Sequence, residues 1–431
     1  MALLAAAQSE PLSLDRAIAM ALEANPDLRA AALAEAEARA RQDAAKTGWY
    51  PRVSVQEGWQ RGNQPVFVFG SLLNQRRFSE ENFAIDVLNR PDPLNNFRAA
   101  VSVSQPIYEG GRNRASSRQA GAASALAESA RAEAQRDIAV AVAQSYVSVL
   151  VSEAAARAAQ SAVDSAIADE NLATDRRDAG MATEADVLSF SVHRSEMQAR
   201  QIAATGDARI ARATLNRLIG APLDSDWLLE SALQPAPLAL DVSALETEAL
   251  ASRPDIRSAG LMIDLAQASR DAARAALLPE VGLEGGYEWN GAQWAARAPS
   301  WIVGVQARFS LSLGGSERAE TRAAALGVDR ARAARESVQA AARLEVRAAV
   351  ARLESAQARV DVARSSVAQA RESERIVRDR YEAGLAGVTD LLRVSNARVD
   401  ATARLAAADG DVTVARVLLD RAVGRLPEVS P

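Results

Sequence analysis

Few side chains in this sequence are of the types that do covalent or metal chemistry, and those few stand far apart. His193 is the single histidine in 431 residues, and cysteine is absent. A zinc site needs several nitrogen or thiolate donors, so no usual one can be assembled, and His193 is expected on a helix surface. No nucleophile–base pair is suggested. The glycine pairs Gly110-Gly111 and Gly314-Gly315 turn a strand into a helix and do not form a phosphate loop. The most pointed carboxylates are Asp186 and Asp390, each six residues after a glycine, Gly180 and Gly384. The plain reading is an acid near a helix start, stabilised by the helix dipole. The sequence therefore reads as no enzyme, with no cofactor and no metal.

The elements that position these residues are long helices, and they occur twice. Residues 112–179 hold no proline and are rich in Ala, Arg, Glu and Gln, all good helix formers. At 1.5 Å per residue they make a rod of about 100 Å, far beyond the usual globular helix. Gly110 opens this stretch and Gly180 closes it; Gly314 and Gly384 do the same 204 positions later. Near the start the offset is 228: Asn25-Pro26-Asp27-Leu28-Arg29 matches Arg253-Pro254-Asp255-Ile256-Arg257. Late in each half it is 204 again, with Leu218-Ile219-Gly220 against Ala422-Val423-Gly424. The 24-residue difference places an insertion in the first half, within the Pro/Asn/Phe-rich segment 63–96.

One unit is therefore expected to be copied. Residues 1–12 form a signal remnant or a disordered N-terminus, with Leu-Leu-Ala-Ala-Ala-Gln as the tail of a secretory signal. Repeat 1 covers 13–220: a short helix, strands at about 51–60 and 97–108, a long helix 111–179 and a short helix 184–219. A Pro-containing linker, 221–242, wraps the rods. Repeat 2 covers 243–424, with strands at about 279–289 and 301–312, a long helix 315–383 and a short helix 388–423. Residues 425–431 are a tail.

In the strands the period changes from 3.6 to 2. Val53, Val55 and Trp59 alternate with Ser54, Gln56 and Gln60, and Glu57 breaks the apolar side. Trp301, Val303 and Val305 alternate with Gly304, Gln306 and Arg308. Strands of this length cross a bilayer when tilted, and Trp and Tyr near their ends match the aromatic girdles of membrane barrels. Glu280, Glu284, Glu288 and Arg308 then face a watery lumen. Four strands cannot close a barrel, and open edges are forbidden in lipid, so several chains must share one. Three chains give the natural cyclic solution.

The rods carry a heptad seam with a charged break, Glu374, that recurs 204 positions earlier as Glu170. Aromatics are only 4 %, which suits thin helical layers packed through alanine. A net charge of −5 gives no case for nucleic acid. The most apolar helical run, 138–151, is interrupted by Gln144, Ser145 and Ser148, so no transmembrane helix is expected.

Three motifs in order resemble the TolC family of outer-membrane efflux proteins. They are Ala24-Asn25-Pro26-Asp27-Leu28, then Gln105-Pro106-Ile107-Tyr108-Glu109-Gly110-Gly111, then Gly180-Met181-Ala182-Thr183-Glu184-Ala185-Asp186-Val187-Leu188. With their repeat partners they extend the likeness over about residues 12–425. The resemblance implies a mainly α protomer with a membrane β-barrel part: a homotrimer with a 12-stranded barrel in the outer membrane of a Gram-negative bacterium and a 12-helix periplasmic tunnel. It implies partners: outer-membrane lipid, a periplasmic adaptor (membrane fusion) protein and an inner-membrane pump, proton-driven or of the ABC type. Gly180, Met181, Ala182 and Thr183, with Gly384, Leu385, Ala386 and Gly387, become the adaptor-docking tip. Asp390 becomes an acid of the periplasmic entrance, with Asp186 as its fellow, and Tyr381 a tyrosine that holds the entrance shut.

Two positions depart from the family pattern. Arg393 stands where a second entrance acid is expected, three residues after Asp390, and suits a pair on one helix face. Ala386 replaces a lock arginine. The expected function is a passive exit duct for small molecules (drugs, metabolites or metal ions). The alternatives are the outer-membrane component of a type I protein secretion system and a soluble coiled-coil scaffold with a small β-domain.

Overall fold

A computed structural model describes residues 11–230 and 241–426. Residues 1–10 of the expected signal remnant, most of the linker's second half and the last residues of the tail lie outside the described residues. Leu12, expected in that remnant, is instead buried and exchanges backbone bonds with Leu228 and Glu230. In chain order come α1 (Leu14–Ala24), α2 (Pro26–Lys46), β1 (Arg52–Gly62), α3 (Pro65–Asn74), α4 (Ile85–Asn89) and β2 (Leu94–Glu109). The long α5 (Arg112–Asp178) and α6 (Glu184–Leu218) follow. Then come α7 (Val242–Ser252), α8 (Pro254–Ala275), β3 (Glu280–Gln293), β4 (Ala296–Arg308), the long α9 (Ser316–Glu382) and α10 (Val388–Val423). The chain divides into two compact units.

Among the described residues the first unit comprises 11–35, 127–230, 241–259 and 334–426 and is helical. Its largest clusters form where the short helices lie on the rods: Ala17, Ile18, Val142, Tyr146 and Leu215 in one, Ala249, Val346, Leu353, Val412 and Leu419 in the other. By length and composition α5 is apolar enough to cross a membrane, which corrects the expectation that no helix would be. Ala139, Val142, Ala143, Tyr146 and Val149 in it are fully buried, however, as in a core helix. The Tyr146 hydroxyl lies 2.7 Å from the Leu12 carbonyl and 3.0 Å from that of Glu230. Burial pushes its pKa up to about 12. It thereby ties the segment after α6 to α5.

The same bonds recur at the sequence offsets. Asn25 Nδ2 donates to the Leu218 carbonyl at 3.0 Å, and Arg253 Nη1 donates to the Ala422 carbonyl at 3.0 Å. Gly220 and Gly424, at φ 72° and 91°, end α6 and α10. A Cβ on either would lie under 3 Å from Ala24 or Ser252, so the close helix crossing requires glycine twice.

The second unit comprises residues 36–126 and 260–333 and contains one antiparallel sheet in the order β1-β2-β3-β4. The sequence alternation runs on to residue 312, but β4 ends at Arg308 because its partner there, Glu280, is the first residue of β3. The insertion folds as α3, a short 3-10 turn (Glu80–Phe83) and α4. Phe69, Phe78 and Phe83 stack edge to face within it, centroids 4.9 and 5.0 Å apart.

Candidate functional site

Two features have the geometry to act: the helix-end turns of the first unit and the sheet of the second. The turn after α5 closes with Gly180 at φ 74°, the Met181 N–H on the Arg176 carbonyl and the Gly180 N–H on the Arg177 carbonyl. The turn after α9 repeats this with Gly384 at φ 75° and Leu385 on Arg380. Both are the 6→1 helix stop that wants glycine. They differ at the next helix start. Thr183 caps α6 reciprocally with Asp186, whose carboxylate accepts from the Thr183 N–H and hydroxyl at 2.9 Å each. Those bonds hold Asp186 below its ordinary pKa. Gly387 starts α10 without a side-chain cap.

Asp390, in the first turn of α10, is therefore free of capping duty. It is exposed, with Arg393 3.7 Å away one turn on. Met181 and Leu385 at the turn tips are exposed apolar side chains.

Behind the tips, Phe190, Tyr381, Leu391 and Val394 bury a small core with Ala173. Tyr381 and Phe190 meet edge to face at 5.9 Å. Arg176 of α5 lies 5.0 Å over the Tyr381 ring. Its Nη1 donates to the Tyr381 and Glu382 carbonyls at 2.9 and 2.8 Å. Burial raises the Tyr381 pKa; Arg176 opposes this, and Asp186 and Asp169 add to it. The Tyr381 hydroxyl, enclosed, has no hydrogen-bond partner among the described residues. Sequence reasoning singled out Tyr381 but missed Arg176, which nothing in the sequence separates from the many rod arginines.

Above the tip, the charged seam breaks are paired across to the short helices. Glu170 meets Arg194 at 2.9 Å, and Glu374 meets Arg398, each partner also 204 positions apart. Arg378 of α9 pairs with Asp169 of α5 at 2.6 Å. His193 is 5 % exposed, so the expected surface position is corrected: it faces inward on α6, and burial holds its pKa below the ordinary value. A lone histidine among polar residues carried no sign of which helix side it takes.

In the sheet, the register puts Glu280, Glu284 and Glu288 on one side of β3, with Arg308 opposite Glu280. Gln56 of β1 and Arg98, Ser102 and Ser104 of β2 share that side. Glu288 accepts from Arg98 Nε at 2.8 Å, and Arg112 pairs with Glu280. The other side carries Val53, Val55, Trp59, Val103, Tyr287, Trp301, Val303 and Val305. It is bare: Val55 is 75 %, Trp301 73 % and Val305 72 % exposed. Glu57, a charge on that side, is met at 3.0 Å by Arg297, which lies 4.2 Å over the Trp294 ring, and Arg61 follows Trp59 on the same side. No described element pairs with the outer edges of β1 and β4.

Comparison with known proteins agrees with this division into a two-faced sheet and long helices. The chain resembles the Campylobacter jejuni CmeC outer membrane channel with a TM-score of 0.82, over 95 % of this chain and 85 % of that one, at 17 % identity. It resembles the outer-membrane channel OprN at 0.78, over 95 % and 89 %, at 23 % identity. Two Pseudomonas aeruginosa proteins are similar in sequence. The pyoverdine export outer membrane protein OpmQ is 29 % identical over 54 % of this chain and 50 % of its own. The alkaline protease secretion protein AprF is 28 % identical over 53 % and 49 %. The matched stretches thus span about half the length of these relatives. The family model for outer membrane efflux proteins matches residues 17–221 and 245–425. By that match, and with no part in enzyme chemistry, this outer-membrane chain belongs to the outer membrane efflux protein family.

Proposed function

We propose that three copies of this chain close one 12-stranded barrel in the outer membrane, with their helices forming a 12-helix periplasmic tunnel that serves as the exit duct of a tripartite efflux system. The observation that carries the reading is the bare apolar side of the sheet. Burying such a surface is worth about 25 cal/mol per Å², and a lone chain forgoes it. Lipid on that side and water on the Glu/Arg side satisfy both faces. The free edges of β1 and β4 then have one remedy, pairing between neighbouring subunits, because unpaired backbone groups in lipid cost several kcal/mol each. A sheet tucked under a helix in a self-contained subunit would have covered Val55, Trp301 and Val305.

The duct does no chemistry, and an inner-membrane pump supplies the energy. The turns at Gly180–Thr183 and Gly384–Gly387 dock a periplasmic adaptor, with Met181 and Leu385 as apolar contacts. Asp390, Arg393, Asp186 and Tyr381 line or close the entrance, and Glu280, Glu284, Glu288 and Arg308 line the lumen. The cargo is small molecules, in keeping with the pyoverdine export relative. A second reading, protein export in a type I system, is favoured by the protease secretion relative. The test is detergent extraction from outer-membrane fractions, mass measurement and planar-bilayer recording. A trimer that conducts ions is the expected result; a monomer soluble without detergent overturns it. Export of a dye against export of a secreted protease in a deletion strain separates the two cargo readings.

A further inference from the structure

The insertion between β1 and β2 is used neither by the helix-end turns nor by the sheet wall, yet its helix α3 has two unlike sides. Val68, Ser71 and Gln75 are buried and, at this spacing, share one side. The Gln75 amide donates to the Asn95 carbonyl at 2.8 Å and to Asn96 Oδ1 at 2.9 Å. Asn96 donates to Asn290 Oδ1 at 2.9 Å, and Asn290 to Glu288 at 3.0 Å. Asn96, Asn290 and Glu288 all belong to the polar side of the sheet, so α3 is tied to that side. The attachment is at the strand ends remote from Trp49 and Gly110, where the chain runs into the long helices.

The opposite side of α3 is Val66, Gly70 and Leu73, with Phe69 at its margin, one edge of its ring on Phe78. Val66 is 86 % and Leu73 49 % exposed, and a Cβ on Gly70 would meet nothing within 4 Å. No charge interrupts this stripe. In a closed ring of three sheets whose polar sides line the lumen, an element tied to that side faces its own copies across the axis. We propose that the Val66/Phe69/Gly70/Leu73 stripes of three subunits meet at the outer mouth and form a hydrophobic constriction, closing it by excluding water. This rests on the three-subunit reading above.

The chain has no cysteine, so single substitutions report cleanly. Gly70→Cys in outer membranes, treated with a mild oxidant, is expected to give disulfide-linked dimers on non-reducing gels; Phe69→Cys serves if the first variant does not assemble. Separately, Ser102→Cys on the polar side of β2 is labelled from outside the cell with a bulky, impermeant maleimide. Adding Val66→Asp and Leu73→Asp should wet the mouth and speed that labelling by at least about tenfold. This readout is indifferent to the state of the periplasmic turns. A protein that is trimeric by mass but gives no cross-link at either position, or whose Ser102→Cys labelling ignores the Asp pair, overturns the constriction and leaves the duct standing. A monomer by mass overturns the duct itself.

Discussion

Arg378 of α9 reaches Asp169 of α5 at 2.6 Å, setting a part-exposed guanidinium on a carboxylate that is 2 % exposed. Removing one partner of such a pair leaves a buried charge without compensation, at a cost of about 3–5 kcal/mol. Arg378→Leu is expected to lower the unfolding temperature clearly. Arg378→Leu combined with Asp169→Leu should lose much less, because the apolar replacements remove the stranded charge as well. Differential scanning calorimetry of the four members of the cycle checks this; equal losses for the single and double variants would remove the coupling.

Much of this architecture was legible because long proline-free runs, glycine stops and period-2 strands are local signals. The offset of 204 that linked Gly180 to Gly384 also links the Glu170–Arg194 and Glu374–Arg398 pairs, so a break in the seam marked a real cross-helix contact. Arg378–Asp169 was not legible. Its counterparts at that offset are Thr174 and Ser373, so the repeat gave no hint, and nothing local says which rod arginine turns inward. The depth of His193 was hidden for the same reason. The α3 insertion announced itself by composition, but its attachment to the polar side depends on Asn96 and Asn290, 194 positions apart.

Arg176 holds the last turn of α9 by donating to the Tyr381 and Glu382 carbonyls. Charge-assisted bonds of this kind contribute about 1.5–3 kcal/mol each. The bond to Glu382 also satisfies a carbonyl that the helix end leaves unpaired, while the Tyr381 carbonyl accepts from the Gly384 N–H as well. Arg176→Ala should free α9 from α5 at the turns without unfolding the protein. The expected result in planar bilayers is a larger single-channel conductance, with an unfolding temperature lowered by the loss of the two bonds. An unaltered conductance would show that this bond does not restrain the entrance.

His193 gives the helical unit an acid sensitivity. Burial disfavours its charged form, while Asp169 and Glu196 pull the other way and Arg200 adds to burial. The folded pKa lies below the ordinary 6.5, so the unfolded chain binds the proton first. Stability is therefore full above that value and falls as the pH drops below it toward the folded pKa. Unfolding temperatures measured between pH 7.5 and 5 should decline for the parent protein. His193→Leu should flatten this window; a parallel decline in the variant would assign the effect to carboxylates.

Asp390 and Arg393 face water on one turn of α10, 3.7 Å apart. An exposed pair of this kind contributes about 0–1 kcal/mol, so neither side chain is there for stability. Asp390 also lacks the capping role that occupies its counterpart Asp186. What remains is the charge it presents, which Arg393 offsets. Asp390→Ala should leave the unfolding temperature unchanged while altering conductance and weakening block by divalent cations. Arg393→Asp should do the opposite and strengthen the block, because the proposed three-subunit assembly would then gather like charges at its entrance. Bilayer recordings with added magnesium decide between this and a plain surface role: if neither substitution moves the block, the two residues do not line the entrance.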